Sequence, residues 1–204
     1  MSEAEEYALM FVRSWGEAVL RQAERARAMR KKFAVDDRNY ERMEDWSPSE
    51  ADLERNFRTL WAEEHTLVWS AYQLERWRAR LHRERGQEAP SQDKVLATVR
   101  NALEHLDEAE FEEGGFAVAR ADRGNSGRSL RELPGGGLPI EVGGVLFGLI
   151  APEEVEARAL KIVSTIEDEL ERDAIEWYME MKREEEREMR AISRQISSPP
   201  ELGA

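Results

Sequence analysis

The chain has no cysteine, only three histidines among 204 residues, and no uninterrupted apolar run of membrane-spanning length. Without cysteine there are no disulfides and no thiolate metal sites. A membrane helix needs roughly 18 or more apolar residues in succession, so none is expected. The opening Met1-Ser2-Glu3-Ala4-Glu5-Glu6 is acidic and lacks a basic and then apolar leader pattern, which leads to the expectation of a cytoplasmic protein. Basic residues are also outnumbered. Thirty Lys and Arg against 43 Asp and Glu give a formal net charge of −13, which excludes a protein that coats nucleic acid through a broad basic surface. An enzyme that grips one or two phosphates with a few arginines stays open.

What is present is helical patterning. Hydrophobic content of 41% beside charged content of 36% is typical of helix-rich soluble chains. Residues 3–33 read as a first helix with Ala8, Val12, Trp15 and Val19 on one stripe and Phe11 beside it. A polar linker is expected over 36–46. Ser47-Pro48-Ser49-Glu50 predicts a capped start, with Ser47 as the cap, proline at the first helical position and glutamate completing a capping box. That second helix should run to Gly86 on a seam of Leu53, Phe57, Leu60, Leu67, Ala71, Leu74 and Leu81, interrupted by Glu64 and Arg78. A third is expected from Ser91 to just before Gly114-Gly115, buried through Leu96, Val99, Leu103 and Leu106.

The pattern changes over 116–150, where glycines cluster and two apolar runs, 138–142 and 145–150, predict the strands of a small hairpin or meander. Asp122 to Arg128 reads as a mobile loop. Pro152-Glu153-Glu154 then opens a long last helix, with stripe residues Val155, Ala159, Ile162, Ile166, Leu170, Ala174, Trp177 and Met181. The expected fold is all-α: one bundle domain over 1–196, of four long helices, with a glycine-rich β insertion at about 116–150 and a disordered tail, 197–204.

The residues that carry chemistry are Arg100, Asn101 and His105 in the third helix. On an ideal helix Asn101 and His105 lie about 40° apart, whereas Arg100 lies about 140° from His105. A site that uses both is better built from two copies facing each other across a two-fold axis, hence the expectation of a homodimer. Helical pairing offers a plainer alternative, with Arg100 bonded to Glu104 and His105 to Glu108 on a solvated face.

The stretch Arg100-Asn101-Ala102-Leu103-Glu104-His105 resembles the signature of the HEPN superfamily, in which an arginine followed by a polar residue precedes a histidine by four to six intervening positions. The resemblance implies a small helical bundle and a metal-independent endoribonuclease, a toxin or defence component acting as a dimer on RNA and held by a protein antitoxin. It further implies that His105 acts as general acid or base, Arg100 stabilises charge on the scissile phosphate, and Asn101 orients the imidazole.

Glu64 interrupts an apolar seam, where an unpaired carboxylate is costly. It is expected either to line the same cleft in a supporting role or to pair with Arg78 or Arg100. His65 lies among Trp61, Val68, Trp69 and Tyr72, giving the second helix a second apolar face for the bundle interior or a dimer partner. No metal site and no cofactor are expected, since neither Glu-His pair has Glu-x-x-His spacing and Gly135-Gly136-Gly137 lacks the Lys of a phosphate loop. The rival to the ribonuclease is a catalytically silent helical module for dimerisation or partner binding.

Overall fold

The computed structural model describes residues 1–43, 46–121 and 127–197, with side chains throughout except at 191 and 194–197. The expected loop at 122–128 and the expected tail therefore fall largely outside the described residues. Among the described residues there are five α-helices and three short strands: α1 (Glu3–Glu41), α2 (Glu50–Glu84), α3 (Lys94–Glu104), β1 (Glu110–Glu112), β2 (Phe116–Val118), α4 (Arg128–Glu132), β3 (Gly137–Pro139) and α5 (Pro152–Ser197). The chain divides into two compact units. One spans Met1–Val163 and the second begins at Ser164, inside α5. Among the described residues no helix is long and apolar enough to cross a membrane.

Three helices are long, at 39, 35 and 46 residues, but α3 has only 11. The expectation of four long helices is corrected on this point. Acidic residues accumulate where α3 would continue, at Glu104, Asp107, Glu108 and Glu110. Negative charge at the C-terminal end of a helix opposes its dipole. The chain instead passes through a 3-10 turn at Leu106–Glu108 into β1. Gly114 and Gly115, with φ of 94° and 78°, turn the hairpin between β1 and β2 rather than end a helix.

α1 and α2 form an antiparallel hairpin, as their paired contacts require. Arg85 meets Glu5 at one end, Phe11 stacks on Trp77 with centroids 4.3 Å apart, and Gln22 meets Glu63. Ala8, Val12 and Val19 of α1 and Leu60, Leu67, Leu74 and Leu81 of α2 are all buried. α1 continues past Phe33 through much of the expected linker. Asn56 accounts for the extra turns: its amide donates to Asp36 at 2.7 Å and its carbonyl accepts from Lys32 at 2.7 Å, so α2 holds the end of α1. The α2 cap is Ser49, not Ser47. Ser49 accepts from the Asp52 amide and Asp52 accepts in return from the Ser49 amide, a complete capping box. The Ser47 hydroxyl donates instead to the Asn39 carbonyl at 2.6 Å, tying off the turn before the helix.

The strands make an antiparallel meander in the order β1-β2-β3, with Ala117 opposite both Phe111 and Leu138. The expected pair of strands at 138–142 and 145–150 is corrected: β3 covers only 137–139, and it pairs with β2 and not with 145–150. β1 lies in what was expected to be the third helix, and α4 falls within the insertion. Residues 145–150 form a tight turn closed by Leu146 and Ile150, burying Leu146 and Phe147.

The first turns of α5 complete the first unit. Arg158 donates to Glu75 of α2 at 2.6 Å and to Asp93 at 2.9 Å, and Asp93 in turn caps α3 through the Leu96 amide. Gly16 lets α1 approach closely, since a Cβ there would lie 2.4 Å from Val163 Cγ2. Alanine is a better helix former than glycine by about 1 kcal/mol, but overpacking against a stiff β-branched side chain costs about 1–3 kcal/mol. Gly16→Ala should therefore lower the urea midpoint, and adding Val163→Ala should recover most of that loss. A Gly16→Ala protein more stable than wild type would show that the contact yields freely.

Candidate functional site

Arg100 leaves the middle of α3 and lies over two aromatic rings of α2. Its guanidinium carbon is 4.5 Å from the Trp69 centroid and 4.8 Å from that of Tyr72. Trp69 and Tyr72 stand three residues apart, so both rings emerge on the same side of α2. The same guanidinium pairs with Glu104 through both terminal nitrogens and donates to Asn101 Oδ1 at 2.9 Å. Its Nε is buried without a hydrogen-bond partner. With a side chain only 17% exposed, Arg100 is held within the chain through both terminal nitrogens.

His105 stands apart. It is the residue that ends α3, with φ −111° and ψ 21°, so it lies at the helix boundary and not inside the helix as the sequence suggests. Its side chain is 59% exposed, and Nδ1 lies 3.4 Å from Glu108 Oε1. Among the described residues it makes no hydrogen bond with Arg100 or Asn101. Arg100 and Asn101 are thus brought together, while His105 faces solvent with a neighbour of its own. Both pairings of the plainer alternative, Arg100 with Glu104 and His105 with Glu108, are present.

Glu64 belongs to another place. Its side chain is fully buried, and Oε1 accepts from Arg30 Nε of α1 at 2.6 Å. The expected partners Arg78 and Arg100 lie on the same helix and on α3; the actual one comes from α1, which covers this face of α2. The Gly143 amide adds a longer contact to Oε1 at 3.4 Å, while Oε2 and Arg30 Nη2 have no hydrogen-bond partner. Burial pushes the Glu64 carboxyl above its ordinary value, against the opposing pull of Arg30 and Gly143. His65, one residue on, stacks on Trp61 with centroids 5.3 Å apart, and Trp61 meets Phe147 edge-on. Burial lowers the His65 pKa and nearby Glu104 partly offsets this.

The second apolar face of α2 is therefore covered from within the chain, by α3 and by the 143–150 segment. Sequence reading located Trp69 and Tyr72 on that face but not their role as a platform for Arg100. It could not find Arg30, because nothing local links positions 34 residues apart. Among the described residues no group of three or more His, Asp or Glu side chains could hold a metal ion.

No family model, no curated protein and no solved structure matches this chain.

Two outcomes follow for stability. Arg100→Ala should cost about 1–2 kcal/mol, because each cation–π contact is worth about 0.5–1 kcal/mol. His105→Ala, at an exposed position, should stay within about 0.5 kcal/mol of wild type. Urea unfolding of the two variants side by side checks the contrast, and equal losses would contradict it.

For Glu64 the sign is set by the raised carboxyl value. The folded chain holds this proton more tightly than the unfolded chain, so the stabilising contribution is full below the ordinary value of 4.5 and is lost as pH rises through the folded value. Wild type should lose stability relative to Glu64→Gln over that rise. A difference between the two proteins that stays constant from about pH 4 to about pH 8 would show that Glu64 titrates normally.

Proposed function

We propose that the protein is a catalytically silent helical module that binds a partner through the second half of α5. The observation that carries this reading is a group of large apolar side chains left exposed along two turns of a regular helix, with Trp177, Tyr178 and Met181 on one side and Ile175 and Met179 on the other. Ile175, Trp177, Tyr178, Met179 and Met181 are each between 39% and 64% exposed. Single exposed hydrophobics are ordinary, but a contiguous group marks an interaction surface. Tryptophan, tyrosine and methionine are also the residues most enriched at interface centres.

The second unit supplies the context. Its described residues form one helix and nothing else. Helical stability in proteins comes mainly from packing an apolar face, and this segment has no second element of its own unit to pack against. A binding partner provides one.

The metal-independent endoribonuclease suggested by the HEPN-like motif has less support. Phosphate binding by Arg100 would require it to leave Glu104, Asn101 and two aromatic rings. Coupling it to His105 would also require a group that lies at the far end of the helix and faces elsewhere. Purified wild type, Arg100→Ala and His105→Ala, incubated with mixed cellular RNA in EDTA, should be indistinguishable and inactive. RNA cleavage by wild type that disappears in both variants would overturn the silent reading and restore the ribonuclease.

A further inference from the structure

We propose that the occupant of the α5 face is a basic amphipathic helix of another protein, with its apolar stripe on Trp177, Tyr178 and Met181 and its lysines or arginines beside the carboxylates that border them. This rests on the reading of α5 as a docking surface and adds the chemistry of the partner. At about 100° per residue, Leu170, Ala174, Trp177, Tyr178 and Met181 fall within an arc of about 100°, the width of a stripe that faces one neighbouring helix. Ile175 and Met179 project from the other side and take no part in it.

Negative charge frames this stripe. Glu167, Glu171, Glu184, Glu185 and Glu188 lie within about 70° of the middle of the arc. Arg172, Arg183, Arg187 and Arg190 lie more than about 120° from it, on the back of the helix. Asp173 and Lys182 mark the two edges at about 90°, and the Lys182 ammonium sits 5.8 Å from the centroid of the Tyr178 ring. Glu171, Asp173, Glu184, Glu185 and Glu188 are all exposed. One face of α5 thus offers aromatic surface bordered by carboxylates, with most of its positive charge turned away.

That pattern selects among occupants. Nucleic acid and an anionic membrane bring phosphates against these carboxylates, and a second copy brings its own carboxylates in either direction. Like charges set against each other are how an interface rejects wrong partners. An extended segment binds chiefly through main-chain hydrogen bonds at a sheet edge, which the middle of a helix cannot supply. A basic amphipathic helix lays apolar side chains along the stripe and reaches both borders with long cationic ones, whose stems cover apolar surface while their charges stay at the rim. Trp177 and Tyr178 each bury up to about 150–250 Å² when covered. A contact of that extent falls in the transient class, below about 1,200 Å², so attraction between opposite charges matters and salt weakens it.

The probe is a labelled peptide designed as a helix with a leucine stripe and lysine on both flanks. Two controls accompany it: the same helix with glutamate for every lysine, and a shuffled peptide of the same composition with no stripe. Fluorescence anisotropy with the full chain should give a Kd of about 1–100 µM for the lysine helix, binding at least about tenfold weaker for the shuffled peptide, and none for the glutamate helix. At about 1 M salt, where the screening length is about 3 Å, binding should weaken about tenfold or more. Trp177→Glu combined with Met181→Glu adds negative charge, so attraction by net charge alone would grow. Binding to the stripe should instead fall at least about tenfold at unchanged helical circular dichroism. Glu171→Lys, Glu184→Lys and Glu185→Lys together should reject the lysine helix and accept the glutamate helix.

Lysine-helix binding that survives the Trp177 and Met181 substitutions, that equals binding of the shuffled peptide, or that is absent at about 100 µM would overturn the proposal. So would a preference for the glutamate helix, or a wild-type chain that sediments as a dimer and becomes a monomer with Trp177→Glu and Met181→Glu. Where neither helix binds, acrylamide quenching of Trp177, read as the difference from Trp177→Phe, separates the two levels. A quenched Trp177 leaves the face open to a partner of other chemistry, whereas a shielded one removes the docking reading itself.

Discussion

The first unit turns on Arg158. One guanidinium donates to Glu75 and to Asp93, Glu75 accepts the Asp93 amide in turn, and Asp93 begins α3 by capping Leu96. Three helices meet at this knot, and it fixes where α3 starts. Because α3 is short, its start also dictates which residue lies above Trp69 and Tyr72, and that residue is Arg100. The placement of Arg100 thus follows from the ion pairs that fix the start of α3.

Two polar groups in the first unit are spent on architecture. Arg100 fastens α3 to α2, and Glu64 fastens α2 to α1 with a contact to the Gly143 segment. Each leaves an unpartnered polar atom, Arg100 Nε and Glu64 Oε2, at a place the surrounding packing has closed to water. Buried groups of this kind specify which elements meet, since any other neighbour would leave the charge unpaired. The apolar group of α5 differs in kind. Among the described residues it has no second element of its own unit to pack against.

The sequence made the long helices legible because their periodic stripes are long, and α2 stopped at Gly86 as expected. It was less informative wherever a distant residue decides the outcome. Asn56 extends α1 beyond Phe33, Arg30 claims Glu64, and no local pattern encodes either. The α2 cap shifted from Ser47 to Ser49 because two serines compete within one segment and both find partners. Of the candidate site, the helical spacing of Arg100, Asn101 and His105 was read correctly up to the point where the acidic run ends α3. There the geometry assumed for His105 ceased to apply. The apolar stripe of α5 was visible as far as Met181, but periodicity alone does not reveal which of its residues are covered within the chain.

The close approach at Gly16 has a kinetic consequence. The α1–α2 hairpin joins neighbouring segments and brings together residues of modest sequence separation, so it forms from inexpensive loop closures. Val163 meets Gly16 across 147 residues of chain, against 80 for the Arg85–Glu5 pair that closes the hairpin. Its longer loop closure makes the seating of α5 against α1 a step expected after the hairpin forms. Substitutions at that contact act chiefly on the rate at which the finished unit comes apart, and little on the rate at which it assembles.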